Sequence, residues 1–159
     1  MKKMNNKGFS LVELIVVIAI MAVLIGVLAP TLLNNIEKSK VSKDKQNVDT
    51  LFDTFRDATG NPDFTIKYPA TLALKFSGDK LTLKASDFDA AFLGTGKTGF
   101  GQEVLDAFGD TKLEVASKDF NGSTITLSIN GKGKAGYKVD KSDGTNIVNE
   151  GFYGSGSGS

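Results

Sequence analysis

From Phe9 to Leu33 the chain is apolar except at Ser10, Glu13, Gly26, Pro30 and Thr31, and between Leu14 and Ala29 no polar side chain occurs at all. That stretch limits what the chain can be. A secretory signal has an apolar core of roughly 7 to 15 residues and then a small-residue cleavage site, and this run is longer. At about 1.5 Å per residue a helix of this length crosses a hydrocarbon layer of roughly 30 Å. Lys2, Lys3 and Lys7 precede it without any acidic residue, which is the pattern of a targeting leader. The expectation is a membrane-anchored helix.

Glu13 is the exception inside the run. A carboxylate within an apolar span costs a few kcal/mol unless it is paired or reaches the headgroups. No Lys, Arg or His follows it before Lys38. Its cationic options within the chain are Lys7 and whatever amino group the chain begins with. Either Glu13 snorkels to the interface or it has a partner, and the second reading is preferred. Gly26 and Pro30 lie in the second half of the span. A helix-interior proline removes a hydrogen bond and crowds the preceding turn at about 3 kcal/mol, so a kink or local melting is expected there, either static or as a point of extension.

The remaining residues exclude much. The sequence has no Cys and no His, which removes disulfides, thiolate chemistry, the usual general base and the commonest zinc ligand. The 19 basic and 18 acidic residues give a net charge of +1, with no charged block, so nucleic acid is not an expected partner. No enzyme activity, cofactor or metal is expected.

Lys7-Gly8-Phe9-Ser10-Leu11-Val12-Glu13-Leu14, after a short basic leader and before Ile15 to Pro30, resembles the prepilin signature of type IV pilins and pseudopilins. The resemblance is strong over about the first 40 residues and architectural beyond. It implies that residues 1–8 are a leader cut between Gly8 and Phe9, that Phe9 is then N-methylated, and that Glu13 pairs with the Phe9 amine of a neighbouring copy. It also implies a single-pass protein of the bacterial cytoplasmic membrane with the leader inside, later an extracellular filament. The implied partners are membrane lipid before assembly, other copies of the chain in a helical homopolymer, a prepilin peptidase and methylase, an assembly ATPase and an inner-membrane platform. Physical chemistry points the same way, because cleavage would place an α-amine one helical turn from Glu13 and the two would attract strongly at low dielectric.

Residues 9–33 then form the transmembrane and filament-core helix, and residues 34–60 its amphipathic continuation. In that continuation Val48, Leu51, Phe52 and Phe55 make a narrow stripe that should dock on a head domain. Gly60 and Pro62 stop the helix, with Gly60 at C′, so it runs from about Phe9 to Thr59. Residues 61–153 read as an antiparallel sheet domain. Its β-runs are Thr71 to Phe76, Leu81 to Lys84, Lys112 to Ser117, Ser123 to Ile129 and Ala135 to Val139, and Asn121-Gly122 is its strongest hairpin signal. Ser86 to Leu93, capped by Ser86, and Gln102 to Phe108 read as short helices. Phe64, Phe76, Phe88, Phe92, Phe100, Phe108 and Phe120 are the candidate core aromatics. The fold class is α+β, a type IV pilin-like roll in which the helix packs on a sheet of four or five strands. Relatives often carry a C-terminal disulfide, which this chain cannot form. Residues 154–159 are a Gly/Ser tail, expected to be flexible and either native or an appended linker.

Some motifs point elsewhere. Gly94-Thr95-Gly96-Lys97-Thr98-Gly99 fits G-x-G-x-x-G, but a helix precedes it instead of a strand, and Ala91 stands where a P-loop has its first glycine. The acid pairs Asp87 and Asp89, Asp140 and Asp143, and Asp53 and Asp57 lack the spacing of a calcium loop. Lys132, Lys134, Lys138 and Lys141 form a local basic cluster. Three readings remain: a structural type IV pilin of adhesion or motility, a pseudopilin of a secretion or DNA-uptake system, and a membrane-tethered binding module or enzyme. The first makes a direct chemical prediction. Without Lys2, Lys3 and Lys7 the 19 basic residues fall to 16 against 18 acids, so mature protein should carry a net charge of −2 and begin at N-methylated Phe9. Mass spectrometry of assembled material checks this, and an intact leader there refutes it.

Overall fold

The computed structural model describes residues 10–94 and 96–152; the leader, the cleavage pair Gly8 and Phe9, Thr95 and the Gly/Ser tail lie outside them. The elements run α1 (Leu11–Thr59), β1 (Ala70–Lys75), β2 (Lys80–Thr82), α2 (Ala85–Phe92), α3 (Phe100–Phe108), β3 (Lys112–Glu114), β4 (Thr124–Ile129), β5 (Ala135–Asp140) and β6 (Asn146–Glu150). The chain is α+β: a long, apolar amino-terminal helix, a four-stranded antiparallel sheet on which the later part of that helix packs, and a second small sheet. Two compact units divide between Glu37 and Lys38.

In the first unit the apolar side chains of α1 stand exposed among the described residues. Leu11 is 73% exposed and Leu33 66%. The most apolar 18-residue stretch has a mean hydropathy of 3.1 and is 0% buried, so the helix is long and apolar enough to cross a membrane.

In the second unit the rest of α1 is the opposite. Val48, Leu51, Phe52 and Phe55 are buried, joined by Ala58 one turn later. The rings of Phe55 and Phe92 lie 4.8 Å apart, Phe52 and Tyr137 4.8 Å, and Phe64 and Phe100 5.7 Å. Tilted and edge-to-face contacts of this kind add about 0.5–1.5 kcal/mol each beyond burial. Phe76, Phe88, Phe92, Phe100 and Phe120 are buried, while Phe64 and Phe108 are half-buried at the margin of this cluster.

The sheet departs from the sequence expectation in four ways. First, the strands form two sheets: β1-β4-β5-β6 with four strands, and β2-β3 with two. Second, β6 was missed, because Asn146–Glu150 offers only Ile147 and Val148 as apolar residues. Third, Asn121-Gly122 does not close a hairpin. The strands on either side of it lie in different sheets, Phe120 is buried, and the Gly122 N–H donates to Gly78 O at 2.8 Å, so this turn carries the chain between sheets. The hairpin that joins neighbouring strands β4 and β5 uses Asn130 to Lys134 instead. Fourth, β3 stops at Glu114 short of the expected Ser117, because the N–H groups of Ala116 and Ser117 turn to a carboxylate on α1, Asp44.

The helix ends differ too. Ser86 lies inside α2 and the N-cap is Lys84, with no side-chain cap. Gly60 does not adopt the left-handed C′ conformation; α1 ends in tight bonds from Gly60 N–H to Asp57 O and from Asn61 N–H to Ala58 O.

The C-terminal stretch closes tightly over β5. A Cβ on Gly136 would stand 1.8 Å from the carbonyl oxygen of Gly151, so only glycine fits. Gly136→Ala should therefore destabilise the head by roughly 2 kcal/mol or more. Gly131→Ala, with nothing within 4 Å of the added methyl, serves as control. Thermal melting of the two variants checks this, and equal midpoints would show that the chain end shifts freely.

Candidate functional site

The start of α1 holds the one acidic group of the apolar stretch. Glu13 accepts a hydrogen bond through Oε2 from the Ser10 backbone N–H at 2.9 Å, and the Leu14 N–H donates to Ser10 O at 3.2 Å. With Leu11 first in the helix, Ser10 is the N-cap and Glu13 the third helical residue, so their bond is the reach-back half of a capping box. Such a carboxylate satisfies an otherwise orphaned donor and also faces the positive end of the helix dipole, a contribution of about 0.3–1 kcal/mol. Glu13 thus has a neutral partner in its own chain. The sequence reading considered only cations for it, although Ser-x-x-Glu before an apolar run is the signature of this cap. Among the described residues no group engages the second oxygen, Oε1.

Gly26 and Pro30 stand four residues apart inside α1, which runs through both without a break. Proline cannot donate to the carbonyl four residues back, and here that carbonyl belongs to Gly26. The two residues singled out separately are therefore the two halves of one missing bond. Nothing lies within 4 Å of where a Gly26 Cβ would stand.

Three polar contacts tie the later part of α1 to the head. Asp44 is buried and accepts from the N–H groups of Ala116 at 3.0 Å and Ser117 at 2.7 Å, and from the Ser117 hydroxyl. The Tyr137 hydroxyl donates to the Asp49 carboxylate. Lys45 meets Glu150 at 3.4 Å on the surface, a pair worth little by itself. Asp44 extends the stripe of Val48, Leu51, Phe52 and Phe55 by one turn. It was overlooked because a charged residue does not read as part of a buried face.

Compared with known proteins, residues 3–29 match the family model for the prokaryotic N-terminal methylation motif, the leader signature of type IV pilins and pseudopilins. The chain carries a prepilin-type leader. No curated protein and no solved structure matches it. A leader of this kind implies processing by a prepilin peptidase and filament assembly in general. The leader and the apolar α1 together fit membrane anchoring before assembly.

In the head, the glycine-rich loop has a filled site. A cavity of about 390 Å³ is lined by Ser86, Asp89, Ala90, Gly94, Gly96, Lys97 and Thr98. In it the Asp89 carboxylate accepts from the N–H of Gly101 at 2.7 Å and of Gly99 at 3.3 Å. The N-terminus of α3 is where a phosphate would bind, and the chain's own carboxylate occupies it. The acid pairs are otherwise engaged. Asp53 and Asp57 face Arg56, Asp140 meets Lys138 at 2.7 Å, and Asp143 accepts from the Thr145 N–H. Among the described residues no three His, Cys, Asp or Glu side chains gather as a metal site would require. Lys141 pairs with Asp119 at 2.7 Å, which further dilutes the basic cluster.

Tyr137 yields a pH prediction. Burial, then the Asp49 hydrogen bond and charge, raise its phenol above the ordinary value of 10.0. The folded state holds this proton more tightly than the unfolded state. Its stabilising effect is therefore complete below pH 10 and declines as pH rises above it. Melting temperature plotted against pH should fall more steeply above about pH 10 in wild type than in Tyr137→Phe. Parallel curves would show that Tyr137 does not couple to folding.

Proposed function

We propose that this chain is the structural subunit of an extracellular type IV filament serving adhesion or motility, assembled by lateral packing of its amino-terminal helices. The observation that carries this reading is the conjunction at one helix end of the methylation motif, an uncovered apolar surface and a lone carboxylate. In this scheme residues 1–8 hold the uncut chain in the cytoplasmic membrane with the leader inside. Cleavage after Gly8 and N-methylation of Phe9 leave a cationic amine at the start of residues 9–33. Glu13 then pairs with the Phe9 amine of a neighbouring copy through Oε1. Two such charges about 4 Å apart attract by about 1 kcal/mol in water and about 4 kcal/mol at an effective dielectric of about 20. The pair thus forms where the helices have excluded water, and it fixes their stagger. Residues 34–60 carry the head, residues 61–153, to the filament surface. The Gly26 carbonyl freed by Pro30 gives the packed helix a place to lengthen under load. A prepilin peptidase and methylase, an assembly ATPase and an inner-membrane platform supply the processing and the work.

Two substitutions separate the roles of Glu13. Glu13→Gln keeps an oxygen for the Ser10 N–H and so keeps the cap, but it removes the charge; Glu13→Val removes both. Both variants should insert into the membrane at least as well as wild type, and both should fail to form fibres visible by electron microscopy. Normal fibres from Glu13→Gln would show that the cap is what matters and would refute the charge pair.

A further inference from the structure

The chain contains two Asn-Gly bonds, Asn121-Gly122 and Asn130-Gly131, and one Asp-Gly bond, Asp143-Gly144. In such a pair the glycine nitrogen can attack the side-chain carbonyl carbon of the residue before it, since no Cβ stands in the way. Two things favour attack: a nitrogen not tied into the backbone hydrogen-bond framework, and a carbonyl oxygen already polarised by donors. The fold distributes these conditions unequally.

The Gly122 N–H is tied to Gly78 O at 2.8 Å and the Gly144 N–H to Lys141 O at 2.9 Å. For the Gly131 N–H no acceptor is found among the described residues, and the space beside its Cα is open for 4 Å. At the same site the Asn130 Oδ1 accepts from the N–H of Lys132 at 3.0 Å and of Lys134 at 2.8 Å. These two donors face the oxygen on which negative charge develops when Cγ is attacked, which is the arrangement of an oxyanion hole. Two lysines in the same five-residue turn favour that charge further. Asn121 has no such pair of donors among the described residues.

We propose that Asn130 is a self-modification site in the β4–β5 turn. The Gly131 nitrogen bonds to Asn130 Cγ, and the Cγ–N bond of the side-chain amide breaks. The amide leaves as ammonia, taking up the equivalent of the proton that Gly131 gives to solvent. The resulting succinimide adds water at one of its two carbonyls and opens to aspartate or isoaspartate. Water is consumed, ammonia is released and nothing is oxidised. An aspartate keeps both N–H donors as charge-assisted bonds, so the turn survives with its net charge lowered by one. An isoaspartate routes the main chain through the side-chain carbon and lengthens the turn by one atom.

The test is incubation of the purified full-length protein in detergent at mildly alkaline pH in heavy-oxygen water, followed by peptide mass spectrometry. Label should enter at Asn130 about tenfold faster than at Asn121, the factor that one ordinary backbone hydrogen bond supplies. Urea should abolish the difference by bringing Asn121 up to the rate of a free Asn-Gly bond. Gly131→Ala should slow the reaction at Asn130 while leaving the melting temperature unchanged. Equal rates in the folded protein, faster conversion at Asn121, or an undiminished ratio in urea would each overturn the proposal. So would an Asn130 that stays intact in the folded chain while converting in urea.

Discussion

Everything in this protein follows from an apolar helix surface that the described residues leave uncovered. Leu11, Leu14, Ile18, Leu24, Leu28 and their neighbours stand open around the helix. Each such side chain forgoes on the order of 1.5–3 kcal/mol when it stays in water, and the sum over the stretch exceeds the stability of an ordinary domain. Lipid can relieve that cost, and so can other copies of the same helix. The difference between the two lies in Glu13. Lipid tails offer a carboxylate no partner, whereas under the proposed cleavage a neighbouring chain would offer an amine. On the proposed charge pair, Glu13 would fit a filament better than a membrane, which would give a direction to the passage from one to the other.

The head depends on a second constraint, that α1 must change character along its length. The same helix that presents apolar residues all round before Glu37 presents a single buried stripe after it, and the stripe is fastened at more than one level. Aromatic rings supply the bulk of the contact. Asp44 and Asp49 supply direction, because a carboxylate that accepts N–H and O–H donors permits one rotation of the helix about its axis where an apolar contact permits several. Removing Asp44 would leave the Ala116 and Ser117 amides without their acceptor, at a cost of about 1–3 kcal/mol for each group left buried.

The amino-terminal motif was legible because its signal is covalent order: residues 3–29 match a family model by their spacing whatever the fold does. The packing stripe of α1 was legible for a similar reason, its period being that of the helix. Pairing was not. Asn121-Gly122 and Asn130-Gly131 are equally good turn dipeptides, and what separates them is whether the strands on either side share a sheet. That depends on Phe120 and on Gly78, a residue more than forty positions away from the turn. Asp44 and Asp89 were missed or misjudged for one reason. A carboxylate in sequence looks like surface or ligand chemistry, and in both cases the fold spends it on backbone amides of its own. The capping role of Glu13 is legible in Ser10-x-x-Glu13, a local pattern that needs no cation.

The strand order β1-β4-β5-β6 has a consequence for how such a head can vary. Strands β4, β5 and β6 follow one another as a meander, but β1 joins that meander only after residues 76–123 have gone out and returned. Those residues hold α2, α3 and the small sheet, and they enter and leave the large sheet at adjacent positions, where Lys75 pairs with Thr124. Doubling the length of an excursion closed in this way costs only about 0.6 kcal/mol in chain entropy. Phe92 and Phe100 must stay to fill the space beside Phe55, but the connections around them are free to lengthen, shorten or change their surface. A head built in this way can alter the exterior it presents without disturbing the sheet that holds it together.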